Sequence, residues 1–125
     1  MTRFNIINVL AGIPVSDMDT GIDWFSRLLA RGPDARPMPD LADWNFTNQQ
    51  TLQLVLDPER AGGGVVTLHV PDIAAARDAL AERDVPMTLD DTSSTKVKFG
   101  QLADPDGNSV TLVEPFADFK PTASH

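Results

Sequence analysis

The chain predicts an α+β domain made from a duplicated βαβββ module, on three observations. An extended apolar segment, an acidic residue and a helical pattern follow one another over residues 10–17 and beyond, and again from residues 65–72. The last extended segment of each unit reads alike, Leu52-Gln-Leu-Val against Val110-Thr-Leu-Val. A strong turn, Asp104-Pro-Asp-Gly-Asn108, precedes the final segment; proline fixes φ there, and glycine or asparagine accepts the left-handed position.

The elements follow in order. Sliding the second unit along the first places Val15 on Val70, Asp17 on Asp72, Met18 on Ile73 and Phe25 on Leu80. Asp17 and Asp72 stand where a side-chain oxygen can accept from the free N–H groups of a first helical turn. Behind Asp17, Met18, Ile22, Phe25 and Leu29 form one apolar stripe, with Trp24 beside it as a packing residue. Gly32-Pro33 is expected to stop that helix, and Gly21 weakens it for no reason visible in the sequence. Extended segments are expected over 36–40, 42–47 and 51–57. Behind Asp72, Ile73, Ala76 and Leu80 give a thinner stripe that Val85-Pro86 ends. Extended segments are then expected over 86–89, 96–103 and 109–114. Module one covers about residues 5–58, a Gly-rich linker 59–64, module two about 65–115 and a tail 116–125. A module of this size buries too little surface alone, so the two are expected to form a single domain over residues 1–125.

Period-two alternation divides each strand into two faces. Ala11, Ile13, Val15, Leu52, Leu54, Val66, Leu68, Val70, Val110 and Leu112 are the more apolar set and are expected beneath the helices. Leu10, Gly12, Pro14, Gln53, Val55, Val65, Thr67, His69, Thr111 and Val113 face the other way. That second face is where side chains from both modules are expected to meet a ligand.

Composition removes several function classes. Lys and Arg number 10 against 18 Asp and Glu, a net charge of −8, which disfavours a phosphate-neutralising surface for nucleic acid and adhesion to anionic lipid. Cysteine is absent, so disulfides, thiolate metal sites and a Cys nucleophile are excluded. The chain has no apolar run of about 18 residues that would span a bilayer. Its start imitates a signal peptide, but Asn5 and Asn8 interrupt the apolar run and no A-x-A site follows. A cytoplasmic protein with no membrane or nucleic-acid partner is the expectation.

With Ile-Pro-Val-Ser-Asp-Met18 before the first helix, Leu-His-Val-Pro-Asp-Ile73 before the second and Asp-Pro-Asp-Gly-Asn108 before the last strand, the sequence resembles the vicinal oxygen chelate superfamily. This is the glyoxalase, bleomycin-resistance and extradiol-dioxygenase group, and the resemblance covers about residues 6–115. It implies a curled eight-stranded mixed sheet around a cup, with helices outside, and commonly a homodimer. It also implies four metal-ligand positions, which by register are Leu10, Gln53, Val65 and Thr111. Leucine and valine have no lone pair, and threonine and glutamine offer only neutral oxygens. Such a set does not make a divalent-ion site, so no metal or other cofactor is expected. His69 does not repair it, lying four residues past Val65, about 13 Å along a strand.

The expected ligand-binding residues are Leu10, Trp44, Phe46, Gln53, Val65, Thr67, His69, Thr111 and Val113. Gln53 and Thr111 would orient a ligand by hydrogen bonds, and Trp44 and Phe46 would wall it, unless they are core. His69 is the single candidate for acid–base chemistry, with no second catalytic partner assignable, so no catalytic residue is assigned. Lys96 and Lys98 either meet an anion or protect a strand face; Phe116 and Phe119 either cap the pocket or anchor the tail; His125 is terminal. The function this supports is metal-independent sequestration of an amphipathic or cationic drug-like molecule. The alternatives are a lyase, isomerase or dioxygenase of the same superfamily working through His69 or a non-standard metal site, and a non-catalytic accessory subunit.

Overall fold

In the computed structural model of the chain, which describes residues 4–47, 50–90, 92 and 97–115, Asp17 and Asp72 do start the helices. The Asp17 carboxylate accepts from Thr20 N at 2.8 Å and opens α1, Met18–Leu29. Asp72 accepts from Ala75 N at 3.0 Å and opens α2, Ile73–Glu82, whose Ile73 N–H is met by Glu114 Oε1 at 2.8 Å. Lys96, Phe116, Phe119 and His125 lie outside the described residues.

Helix α1 buries Met18, Gly21, Trp24, Phe25 and Leu28, with Ile22 and Leu29 partly covered. Gly21 now has a reason. A Cβ there would stand 3.2 Å from Val15 Cγ1 and 3.4 Å from Leu54 Cδ1, so its absence lets the helix sit down on the sheet. The helix ends earlier than Gly32-Pro33 suggests: Ala30 takes the left-handed position, with φ 63°, and its N–H returns to Ser26 O.

Seven strands are found among the described residues. They are β1 Val9–Val15, β2 Leu41–Thr47, β3 Gln50–Leu56, β4 Val65–His69, β5 Thr88–Asp90, β6 Val97–Ala103 and β7 Ser109–Pro115. They form two mixed sheets, ordered β1-β3-β2 and β4-β7-β6-β5. In each module the first strand runs parallel to the last, and the last is antiparallel to its other neighbour. The expected strand over 36–40 is reduced to a single bridge, Ala35 to Asp43. Pro37 and Pro39 cannot donate to a ladder, and the Arg36 guanidinium holds the turn instead by donating to Leu41 O and Pro39 O, both at 2.7 Å. Of the eight expected strands, the described residues thus form seven.

The face assignment holds for most positions. Ile13, Val15, Leu52, Leu54, Val66, Val110 and Leu112 are buried with Ala42, Trp44, Phe25, Ile73 and Leu80 in one core. On the other face Asp43 and Asn45 pair with Gln53 and Thr51: Gln53 Nε2 donates to Asp43 Oδ1 and Thr51 Oγ1 to Asn45 Oδ1, both at 2.8 Å. No helix among the described residues is long and apolar enough to cross a membrane.

The modules are tied together at one end by Asn108, which is fully buried. Its Oδ1 accepts from Gly62 N at 3.0 Å and Gly64 N at 2.7 Å. Its Nδ2 donates to Pro14 O and to Asp104 Oδ2, each at 2.7 Å. Gly64 is needed for this approach, since a Cβ would come within 2.8 Å of Asn108 Oδ1 and 2.9 Å of Pro14 Cδ. Asp106 of the same turn accepts from Ser16 N at 3.0 Å and from Ser16 Oγ. The helices are tied at their C-termini by a reciprocal pair. Arg27 Nη1 donates to Arg83 O and Asp84 O, both at 3.4 Å, and Arg83 Nε donates to Arg27 O at 2.6 Å. Each guanidinium thus meets carbonyls at the negative end of the other module's helix.

Two stability changes are expected. Asn108→Ala strands buried donors and acceptors in both modules and lowers unfolding free energy by about 3–5 kcal/mol. Ala30→Gly removes a side chain from a left-handed residue and raises it by about 0.5–1 kcal/mol. Urea denaturation of the three proteins checks both signs.

Candidate functional site

Neither β1 nor β4 has a partner on its outer side among the described residues. Where β1 ends, Pro14 sits against Gly64 and Asn108 bonds to both, so the end of β1 and the start of β4 meet there. An open cavity of about 840 Å³ is lined from both modules, by Val9, Ala11, Leu29, Phe46, Gln50, Thr51, Leu52 and the consecutive residues 66–70. Consecutive residues of a strand point to opposite faces. A space that all of 66–70 reach must therefore lie along the edge of β4, not over one of its faces. A smaller opening of about 620 Å³ lies at this meeting point, beside Gly12, Pro14, Glu59, Arg60, Ala61, Gly63 and Gly64.

The walls of the larger cavity come from both modules. Leu29 closes α1 and Phe46 stands near the end of β2, where the β2–β3 register shifts between Asn45 and Thr47. That shift follows a clamp on Asn45. Arg31 Nη2 donates to Asn45 O at 2.8 Å, Asn45 N donates to Asp34 Oδ2 at 2.7 Å, and Arg31 and Asp34 form an ion pair. Arg31, together with the Asn45 N–H, holds the Asp34 carboxyl below its ordinary value of 3.8. Phe46 is left exposed at the cavity wall.

Of the residues singled out in the sequence, Phe46, Thr67 and His69 line this cavity. Leu10, Gln53, Val65, Thr111 and Val113 lie outside its lining. Trp44 is wholly buried: it packs 6.2 Å from the Phe25 ring, and its Nε1 donates to Arg31 O at 2.9 Å. The core alternative stated for it is the one the structure takes. Lys98 stands 3.9 Å from Glu114. Ala11, expected beneath a helix, is exposed and lines the cavity, because α1 covers β1 only at Ile13 and Val15. Val9, Leu29, Gln50, Leu52, Val66, Leu68 and Val70 join the lining without having been singled out. Face parity does not register an opening between strand edges.

The four positions that would carry a superfamily metal do not fit one. Leu10 and Val65 are exposed aliphatic side chains, Thr111 brings a hydroxyl, and the Gln53 amide is engaged with Asp43. Among the described residues no group of three or more His, Asp or Glu side chains is placed to hold an ion. Among the described residues no Asp, Glu, Lys or Arg lines the larger cavity. The arrangement offers apolar contact and a few hydrogen-bonding groups: Gln50, Thr51, Thr67 and the His69 imidazole.

No protein-family model matches the chain, and neither does any curated protein. Solved structures do. A glyoxalase/bleomycin resistance protein from Catenulispora acidiphila is 30% identical, with 87% of this chain and 98% of that chain covered and a TM-score of 0.80. TnmS3, an antibiotic-binding protein from a Streptomyces species, is 22% identical over 92% of this chain and 98% of its own, with a TM-score of 0.70. A bleomycin-binding protein complexed with bleomycin is 16% identical over 86% of this chain and 97% of its own, also at 0.70. The last two bear on the fold alone.

Acid should loosen the clamp behind Phe46. A carboxyl whose folded value is depressed adds stability that is present above its unfolded value and lost as pH falls toward the folded one. The thermal midpoint is therefore expected to drop as pH falls below 3.8, and to drop less steeply in Asp34→Asn. Circular-dichroism melts between about pH 2 and pH 7 measure this.

Proposed function

The chain belongs to the glyoxalase/bleomycin resistance family of the vicinal oxygen chelate superfamily, and from that membership we propose that it binds and sequesters an amphipathic small molecule without a metal ion. The observation that carries this is the inter-module cavity. Its volume of about 840 Å³ falls within the range that holds drug-sized ligands. Its lining is aliphatic and aromatic, with sparse polar groups, the composition that binds apolar bodies and orients them by a few hydrogen bonds. Phe46 supplies the flat surface, and His69, Thr67 and Gln50 the orienting groups.

The charge of the lining refines the ligand. A cation would leave water without a carboxylate to receive it, a poor exchange. A neutral aromatic or amphipathic molecule fits better than a cationic one, despite the chain's net charge of −8. The related bleomycin-binding and antibiotic-binding proteins make drug-like natural products the first compounds to test. Metal independence rests on the poverty of donors at Leu10, Gln53, Val65 and Thr111. We further propose a homodimer, because Phe4, Ile6, Ile7 and Val9 stand 81%, 66%, 82% and 70% exposed. So much contiguous apolar surface is unusual on a chain that works alone.

Calorimetric titration with bleomycin and with neutral aromatic antibiotics tests the binding. At least one neutral compound is expected to bind with micromolar affinity, and Phe46→Ala to weaken it about tenfold. Silence across the panel, or binding indifferent to Phe46, would sink the reading. Metal analysis of protein purified without chelator completes the test: about one equivalent of Mn, Fe, Ni or Zn per chain, lost on Gln53→Ala, would establish a metal site instead.

A further inference from the structure

We propose that Arg31 and Asp34, neither of which lines the cavity, are positioning residues for its ligand. Acting through Asn45, they hold Phe46 in the cavity wall and so set the affinity of the site. The inference rests on the binding reading above and gives that site a control lying outside it.

Phe46 owes its place to a bulge. Along β2 and β3 the partners run in step from Leu41 and Val55 to Asn45 and Thr51. The unshifted register would next bring Phe46 opposite Gln50, but Thr47 takes that place, which makes Phe46 the extra residue of β2. A bulge re-aims a side chain. A strand can also shed one by slipping a single residue along its partner, so the residue before the bulge has to be pinned.

Asn45 is pinned from both sides. From β3, Thr51 Oγ1 donates to its Oδ1 at 2.8 Å. The other contacts lie along the edge of β2 turned away from β3. There the main chain of residues 34 and 35 serves Asp43. Asp34 N and Ala35 N donate to Asp43 O at 2.7 and 3.3 Å, and Asp43 N donates to Ala35 O at 2.9 Å. Two residues on, side chains replace main chain. Asn45 N donates to Asp34 Oδ2 at 2.7 Å, and Asn45 O receives Arg31 Nη2 at 2.8 Å. Arg31 Nη1 and Asp34 Oδ1 then close the ring as an ion pair.

The base of this clamp is firm. Arg31 N donates to Ser26 O in α1 at 3.1 Å, and Arg31 O receives Nε1 of the buried Trp44 at 2.9 Å. Leu29, two residues before Arg31, and Phe46, one residue after Asn45, both line the cavity. The clamp therefore ties the end of α1 to the bulge of β2 across the wall they share. Both of its side chains are partly exposed, and a pair so placed adds little to global stability. Its effect is local: releasing Asn45 frees Phe46 from the wall while the Phe25 and Trp44 rings beneath stay packed.

The test titrates N-phenylnaphthylamine, an uncharged aromatic fluorophore, into the wild type and into Arg31→Ala, Asp34→Ala, Phe46→Ala and Leu68→Ala, singly and in pairs. Each clamp substitution is expected to weaken the probe about fivefold, with circular dichroism showing the variants folded at the assay temperature. In the Phe46→Ala background the same substitutions are expected to change affinity by less than about twofold. Combined with Leu68→Ala, in the module-two wall, their full effect is expected to persist. Should Arg31→Ala fail to fold, Arg31→Lys replaces it, since one ammonium nitrogen cannot stand at both the Nη1 and Nη2 positions. Clamp variants that bind like the wild type, or a loss undiminished in the Phe46→Ala background, would overturn the positioning role and leave small-molecule binding intact. A wild type that ignores the probe, or binding indifferent to Phe46, would overturn the binding reading and this inference together.

Discussion

The arrangement of this protein depends on one buried carboxamide. Asn108 has two donors and two acceptor positions, and all are used: two glycine N–H groups of the linker, a carbonyl at the end of β1, and a carboxylate in its own turn. A buried amide deprived of one partner costs more than an average hydrogen bond gives, so the four contacts hold or fail together. They fix the start of β4 against the end of β1. Among the described residues the two sheets are not laddered to each other, so this joint, together with the Ser16–Asp106 and Arg27–Arg83 contacts and the shared core, positions one module on the other. The cavity is therefore a by-product of how module two is hung on module one.

That dependence explains why the turn is so polar and yet so little exposed. Asp104, nearly buried, accepts from Asp106 N and Asn108 N with one oxygen and from the Asn108 side chain with the other. Read as a sequence, Asp-Pro-Asp-Gly-Asn is a connection between strands. In the fold it is also the fastening between modules, with Asp106 reaching Ser16 beside the first helix cap. Turn propensity describes the local half of that role. The other half lies in partners some 90 residues distant in the chain, which no local pattern records.

Much of the architecture was legible because it follows from short-range physics. The caps at Asp17 and Asp72, the stripe through Phe25, and the burial of Ile13, Val15, Leu52, Leu54, Val110 and Leu112 all follow from spacing and residue type, helped by the family likeness. The strand expected over 36–40 does not form because Pro37 and Pro39 lack the N–H donors that a ladder needs. The site was legible only in part. Of the expected residues, Phe46, Thr67 and His69 line the cavity, but alternation selects one face of a sheet and so leaves out half of any strand. The cavity draws on both phases of β4, so Val66 and Leu68 line it beside Thr67 and His69, and Ala11 joins them because no helix covers it. One signal for it was present: Pro14 within β1, since proline in a strand marks an edge.

The arginine exchange at the helix ends has a consequence for the history of such a duplicated chain. Arg27 serves carbonyls that belong to the second unit, and Arg83 serves one that belongs to the first. Neither half is chemically finished by its own residues. Once a tandem copy had come to complete its sibling in this way, the two could no longer drift as separate inheritances: a loss in either would be felt as a defect in the other.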